Sequence, residues 1–471
     1  MIRIKRGLIL PISGEPEQVV YEAPSVRQVG IVPADYPGLD LCCDVIAGNR
    51  VRTGQLLFHD RRFPALRIVA PATGVIAFLA DRKDASASTP IRQILTIDVE
   101  DDEFIEFDRV APQDLPRLGR AAVVAQLLSA GLWPSLRTRP LQKVPRPDVI
   151  AHAIFVTAMD TRPLAARADR LIEAEQGAFS NGLAAISQLT VGLVYVCKAP
   201  AAYVPVPDID NIKVEEFAGP HPAGLAGTHI HYLDPVGAGD DKQVWSIGYQ
   251  DVIAIGKLFV EGRYAPQRVI ALAGPQVIDP RLLRIRLGAN IAELCASELR
   301  DACSSGGNHT TQLLAGSVLH GTDANGAHRF LGRDCLQVTA LCAPAAQKKR
   351  GSFWGLHQFS VLPILLSRVI HRRRFRFTAE QAGNAYPLLF TVAFEKIWAL
   401  RLLQLPLLRA LMAGDDDRAI QLGALELVEE DLALATFVCS GKQDFGALLR
   451  ALLDRYERDM MLRVPQEADR P

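Results

Sequence analysis

The sequence predicts a multidomain protein of mixed α/β and α+β class, and three observations carry that expectation. At 471 residues the chain is too long for one core, because single cores rarely grow past roughly 250 residues, so three or four domains are expected. Between Ala153 and Val196 a β-branched run, a helical pattern and a second β-branched run follow one another, the order of a doubly wound parallel sheet. Beyond Thr378 the pattern turns helical.

Composition narrows the function classes. Fifty-two basic and 52 acidic residues leave a formal net charge of zero, which argues against nucleic acid as the main partner. A hydrophobic content of 49% is ample for packed cores. Eight cysteines are scattered with no C-x-x-C spacing, against an ordinary iron–sulfur or zinc motif and in keeping with a reducing cytoplasm. The start, Met1 to Gly7, reaches glycine and proline before a signal-peptide core can form. The best uncharged run, Gly177 to Cys197, is interrupted by Ser180, Asn181, Gln188 and Thr190. Tyr386 to Met412 is broken by Glu395, Lys396, Arg401 and Arg409, so no bilayer-spanning segment is expected.

Taken in order, residues 1–103 are β-rich and punctuated by glycine. Gly48 to Phe58 reads G-x-x-V-x-x-G-Q-x-L-F, and Ala70 to Ile76 continues A-P-x-x-G-V-I. This arrangement resembles the barrel-sandwich hybrid of biotinyl and lipoyl carrier domains, with Gly54 and Gly74 expected to supply turn dihedrals. No lysine lies between those glycines, so a structural module is expected rather than a swinging arm.

Residues 104–250 read as a Rossmann-like domain. A helix is expected over Asp114 to Gly131, then a polar, basic loop from Trp133 to Lys143. A strand from Ala153 to Ala158, a turn at Met159 to Pro163, a helix near Leu171 to Leu189 and a strand from Val191 to Val196 follow. Residues 251–345 resemble a small β-grasp domain of the soluble-ligand-binding (SLBB) type. A linker with Lys348-Lys349-Arg350 leads to a C-terminal helical domain over residues 378–471, with helices near Leu400 to Met412, Asp415 to Leu422, Glu429 to Phe437 and Gly446 to Arg458.

The most distinctive stretch runs from Gly227 to Leu294. Its short runs closed by Gly and Pro read as strands joined by tight turns, and Val252 to Ile255, apolar on both faces, reads as an interior segment. The order of His229, His231, Asp234-Pro235, Gly248-Tyr249-Gln250-Asp251, Gly256-Lys257 and Gly274-Pro275-Gln276 resembles the A subunit of the sodium-translocating NADH:ubiquinone reductase family, a respiratory sodium pump. The carboxy-terminal motif, Leu425 to Leu427, Glu429 to Leu434 and Phe437 to Lys442, resembles the same family. There Ala435 stands where a second cysteine is usual, Ser440 stands where proline is usual, and Val392 to Leu400 departs from the family's pattern.

The resemblance implies a peripheral subunit on the cytoplasmic face of the bacterial inner membrane, held by the other subunits, chiefly the membrane-embedded B subunit. It implies NADH as electron donor, ubiquinone as substrate and sodium as the exported ion. The complex's FAD, FMN, riboflavin and iron–sulfur centre belong to other subunits, so this chain is expected to bind no redox cofactor and to be non-catalytic alone. The family is also akin to the FMN- and NADH-binding subunit of complex I and to the C subunit of the Rnf complex, which place a glycine-rich FMN loop where this chain has Trp133 to Lys143. No G-x-G-G-x-G run occurs here, against close approach of a flavin phosphate. An FMN-dependent dehydrogenase subunit and a purely structural scaffold remain as alternatives.

Within that loop Trp133, Arg137, Arg139 and Lys143 are the candidate quinone-binding residues: an aromatic ring for stacking and cationic donors for the carbonyls. The bland alternative is a solvated basic loop. On this reading Trp133→Ala or Arg137→Ala weakens quinone binding and leaves the fold unchanged. Phe155 reads as core. His229 and His231, alternating on an expected strand, could share a metal, but no third ligand is near and a hydrogen bond to Asp234 explains them as well. Asp415-Asp416-Asp417 reads as a helix start, and the basic run His371 to Phe377 as a lipid-headgroup contact or a solvated arm.

Overall fold

The computed structural model describes residues 1–79, 94–100, 103–237, 239–240, 242–300, 310–343, 374–379, 391–439 and 441–463. The expected linker lies largely outside them, as do His371, Arg372 and Arg373.

The central sheet runs Ile2–Arg3, Ile212–Ala218, Val194–Lys198, Ala153–Ala158, Val244–Gly248, Arg137–Arg139. Neighbours are parallel except the last pair. From Ala153–Ala158 the chain moves outward to one side, then returns to lay Val244–Gly248 on the other. The switch point therefore lies between those two strands, where open α/β sheets leave a crevice at their carboxyl ends. The strand Ala153–Ala158 is where its apolar run places it, and Phe155 is buried core stacked on Tyr195.

The helices Gln176–Ser187 and Tyr249–Glu261 cross at backbone contact. A Cβ on Gly182 would meet the Val252 carbonyl oxygen at 2.0 Å, and one on Gly256 would meet that of Ala178 at 1.8 Å. Only glycine fits at either position, which accounts physically for Gly256 in the Gly256-Lys257 pair.

The second large sheet runs Thr322–Asp323, Thr311–Ala315, Gln337–Cys342, Gln267–Ala273, Arg281–Arg286, Glu17–Glu22. The chain's first residues thus stitch two sheets, Ile2–Arg3 joining one and Glu17–Glu22 the other. The strands that follow form a barrel-sandwich of two smaller sheets, closed around Val29, Leu57, Ala70, Leu95 and Ile97. The C-terminal helices Gln404–Ala413, Asp416–Gln421, Ala433–Val438 and Phe445–Arg463 enclose a separate core of Leu407, Leu408, Leu432, Phe445 and Leu449. Asp415 caps Asp416–Gln421 by accepting from the Arg418 amide at 3.1 Å, so the acidic triplet is a helix start.

Four local expectations change. Val252 to Ile255 lies within the helix Tyr249–Glu261, ended by Gly262 in the left-handed region, φ 67°. A short run apolar on both faces suits a buried helix as well as a buried strand, and here the helix is fully packed. His229 and His231 stand on the helix Ala226–Leu233 and diverge, rather than sharing one face of a strand. The helix expected over Leu171 to Leu189 is two, Ala168–Ala174 and Gln176–Ser187. Gly54 has the expected positive φ of 89°, but Gly74 is required for closeness instead, since a Cβ there would meet the Asp98 carbonyl oxygen at 1.9 Å.

Candidate functional site

At the switch point the two parallel strands run out into Met159-Asp160-Thr161-Arg162 and Tyr249-Gln250-Asp251. Arg162 Nη1 donates to Asp160 at 2.8 Å, and its Nε donates to Glu430, which arrives from the C-terminal domain. His320 Nε2, from the grasp-like sheet's side, lies 3.6 Å from the same Glu430 carboxylate. Burial alone would raise the Glu430 carboxyl, but Arg162 and His320 outweigh it and hold it at about 2. Beside them Thr161 Oγ1 accepts from the Gly224 amide at 2.9 Å and meets His221 Nδ1 at 3.2 Å. Burial keeps His221 neutral, with its pKa lowered to about 4. The phenol of Tyr249, buried behind this group, is pushed upward, chiefly by burial.

The neighbouring residue fills the adjoining space. Asp431, 4% exposed, lies against Gly227 at the start of the helix Ala226–Leu233, where a Cβ would stand 2.2 Å from its Oδ1. Arg139 Nη2 is 3.7 Å away, and Arg139 itself is 2% exposed. Burial raises the Asp431 carboxyl to about 6 and lowers the Arg139 guanidinium, so at this distance pairing does not overcome desolvation. The carboxyl ends of the sheet are therefore filled by two carboxylates of the chain's own C-terminal domain.

The expected basic loop is ordered and buried over Trp133 to Arg139, and only Pro140 to Lys143 is a half-buried turn. Trp133 to Ser135 form a 3-10 turn and Arg137–Arg139 an edge strand, buried throughout. Trp133 is fully buried, donates from Nε1 to the Pro145 carbonyl at 2.7 Å and packs edge-on against Trp245 at 5.6 Å. Arg137 pairs with Asp334 at 2.6 Å, Arg139 with Asp431, and Lys143 with Glu457. The structure places the two arginines on one strand but directs the three cations to three different carboxylates. None of the four residues lines the cavity around Asp35, Tyr36, Tyr264 and Arg333, or the one around Leu171, Gln250, Ile253 and Lys257. The expectation that Trp133→Ala spares the fold does not suit a tryptophan with no exposed surface.

His229 is buried, donates from Nε2 to the Ala223 carbonyl at 3.0 Å and has its pKa lowered to about 3 by burial. His231 points elsewhere: its Nε2 accepts from the Arg401 amide at 2.8 Å, so Nδ1 carries the proton and donates to Glu426 at 2.6 Å. His152, rather than either of them, meets Asp234, at 2.9 Å. Among the described residues no group of three His, Cys, Asp or Glu side chains is placed to hold a metal. The described part of the basic run is anchored too, with Arg374 on Glu15 and the Phe375 amide donating to the Pro11 carbonyl at 2.7 Å.

Sequence reasoning passed over Asp160, Arg162, His221, Tyr249, Glu430 and Asp431. Position could have found the first two, because they follow directly on the first strand of a doubly wound sheet. Glu430 and Asp431 fall within the carboxy-terminal motif, but nothing in the sequence linked them to this crevice, Glu430 being 268 residues from Arg162. The arrangement suits recognition of anions: one buried and one half-buried guanidinium group, a helix start and a close-approach glycine. No helix among the described residues is long and apolar enough to cross a membrane.

Three family models match the chain: the NqrA N-terminal barrel-sandwich hybrid domain over residues 2–82, the NqrA second alpha/beta domain over 118–264, and the NQRA C-terminal domain, an SLBB model, over 269–326. Among full-length relatives, the A subunit of the Na(+)-translocating NADH-quinone reductase of Hahella chejuensis is 43% identical over 98% of this chain and 100% of its own length. The proteins of the same name from Pseudomonas aeruginosa and Neisseria gonorrhoeae are 44% and 42% identical at the same coverage. A solved chain of an NAD+-reducing [NiFe]-hydrogenase superposes on 49% of this chain and 47% of its own at a TM-score of 0.32 and 12% identity, too remote to support an argument. With the sheets, the domain order and end-to-end identity in agreement, the chain belongs to the NqrA family, the A subunits of the Na(+)-translocating NADH-quinone reductases.

Proposed function

We propose that this chain is the peripheral NqrA-type subunit of a sodium-translocating NADH:quinone oxidoreductase. On this reading it sits on the cytoplasmic face of the membrane, docks chiefly on the membrane-embedded B subunit, and takes part in ubiquinone reduction and assembly without a redox cofactor of its own. The observation that carries the reading is the match over 98% of the chain to relatives of that name. The self-filled crevice supports it, because the place where a doubly wound sheet would cradle a cofactor's phosphate holds Glu430 and Asp431. The test is co-purification: a tagged chain produced together with the other subunits should carry the B subunit with it in equal amount. Recovery of the chain alone from solubilised membranes would refute the assignment.

Quinone contact at Trp133, Arg137, Arg139 and Lys143 belongs to the same proposal and requires those cations to exchange a carboxylate for a quinone carbonyl. Arg137 is best suited, since its partner Asp334 keeps more than half its side chain in water. Arg137→Gln should weaken binding of a short-tailed ubiquinone to the assembled complex about tenfold, a loss of about 1.4 kcal/mol. Unchanged affinity would move the quinone site elsewhere. The pairing of every one of these cations within the chain favours a second reading, a scaffold that contacts no quinone, and the same titration separates the two.

A further inference from the structure

The crevice at the carboxyl ends of the central sheet has the parts of an anion site, and its occupant belongs to the same chain. Arg162 is supplied by the end of the strand Ala153–Ala158, Gly227 by the first turn of the helix Ala226–Leu233, and Arg139 by the edge strand. Glu430 and Asp431, consecutive residues of one 3-10 turn, place their carboxylates on Arg162 and on Gly227 with Arg139. An independent feature shows that the fit is incomplete. Arg139 is 2% exposed, yet its Nε has no hydrogen-bond partner, and its nearest carboxylate oxygen on Asp431 is 3.7 Å away. A buried guanidinium satisfied by its evolved ligand would be bonded through both edges of its fork.

We propose that Glu430 and Asp431 act as a built-in ligand that closes a latent binding site for a diphosphate group, keeping cofactor and nucleotide phosphates out of this crevice. Two adjacent carboxylates on two guanidinium groups occupy the place of two linked phosphoryl groups on the same donors. Removing both carboxylates leaves Arg139 buried with Glu429 as its remaining counter-charge and Arg162 with Asp160. A buried cation in that state strongly favours any anion that can enter. The C-terminal domain has other holds on its neighbours, through Lys143–Glu457, His231–Glu426 and Arg450, which donates to the Leu141 carbonyl at 3.1 Å. Its seat therefore does not depend on residues 430 and 431 alone.

The experiment uses the full chain and inorganic pyrophosphate as the probe, by calorimetry at low ionic strength. The wild type should show no saturable binding up to about 1 mM. The double variant Glu430→Ala, Asp431→Ala should bind at least tenfold more tightly than that limit, and adding Arg162→Gln should abolish the gain. A variant that folds only when pyrophosphate is present would support the proposal equally. Wild-type binding as tight as the variant's, a folded double variant that binds no better, a gain that survives Arg162→Gln, or a variant unfolded even with pyrophosphate would each overturn it.

Discussion

The α/β domain has two seams, and they are built on different physics. Toward the grasp-like sheet the core is continuous: Val269, Ala271, Leu282 and Leu287 of that sheet belong to the same buried cluster as Trp133, Leu183, Trp245 and Ile255. Gln250 adds a two-way bridge, donating to the Val269 carbonyl at 2.7 Å and accepting from its amide at 2.8 Å. Toward the C-terminal domain the large apolar clusters are distinct, with Leu8, Leu141 and Leu319 packing on the C-terminal one, and ion pairs with the acid on the C-terminal side add to the seam. The acids Glu430, Asp431 and Glu457 come from the C-terminal domain and meet Arg162, Arg139 and Lys143, and Glu426 accepts a hydrogen bond from His231 Nδ1. Apolar burial is neither screened by salt nor titrated by acid, whereas paired charges are both. The C-terminal domain is thus the part of the molecule whose seat is more sensitive to salt and acid.

Trp133→Ala should weaken the core that the first seam shares. Removing a fully buried tryptophan that packs on Trp245 is expected to cost about 3–5 kcal/mol, read as a lower urea midpoint for the whole chain. A loss below about 1 kcal/mol would show that the shared core does not carry this seam. Arg162→Ala addresses the second seam. It strands Glu430 and Asp160, and because Arg162 and Glu430 keep about a quarter of their surface in water, about 3 kcal/mol is expected, the low end for a buried pair. Limited proteolysis should then cut within residues 391–463 first, leaving the α/β and grasp-like domains intact.

Acid sharpens the comparison further. The folded-state pKa of Glu430 is held at about 2, below its ordinary 4.5, so its contribution is fully present above about pH 4.5 and is lost as pH falls toward 2. Asp431 runs the opposite way, raised to about 6, and gains a proton on the folded side as pH falls from 6 to 3.8. Denaturation curves of wild type and Glu430→Gln should therefore differ most near neutrality and converge as pH falls from 4.5 to 2. A gap that widens on acidification would place the charged form of Glu430 somewhere other than on Arg162.

How much of this was legible in the residues follows from the range of the forces involved. The strand Ala153–Ala158 and the C-terminal helices were readable because periodicity is local. The helix over Val252 to Ile255 was not, since a run apolar on both faces has no period to betray it. The basic character of Arg137, Arg139 and Lys143 was plain, but basic residues in a sequence look solvated until their acids are known. Those acids, Asp334, Asp431 and Glu457, lie 197 to 314 residues away, and only the fold brings them in. The candidate crevice was half legible: its position followed from the strand order, and its occupant did not.

The most direct measurement of the functional assignment is reconstitution. Membranes from bacteria carrying this reductase but deleted for their own NqrA should be supplied with the present chain. NADH:ubiquinone activity stimulated by sodium should return, with the chain incorporated one-to-one with the membrane subunits and no flavin travelling on the isolated chain. Failure to restore that activity, together with NADH oxidation by the isolated chain carrying its own flavin, would contradict the assignment and make it a self-contained dehydrogenase subunit instead.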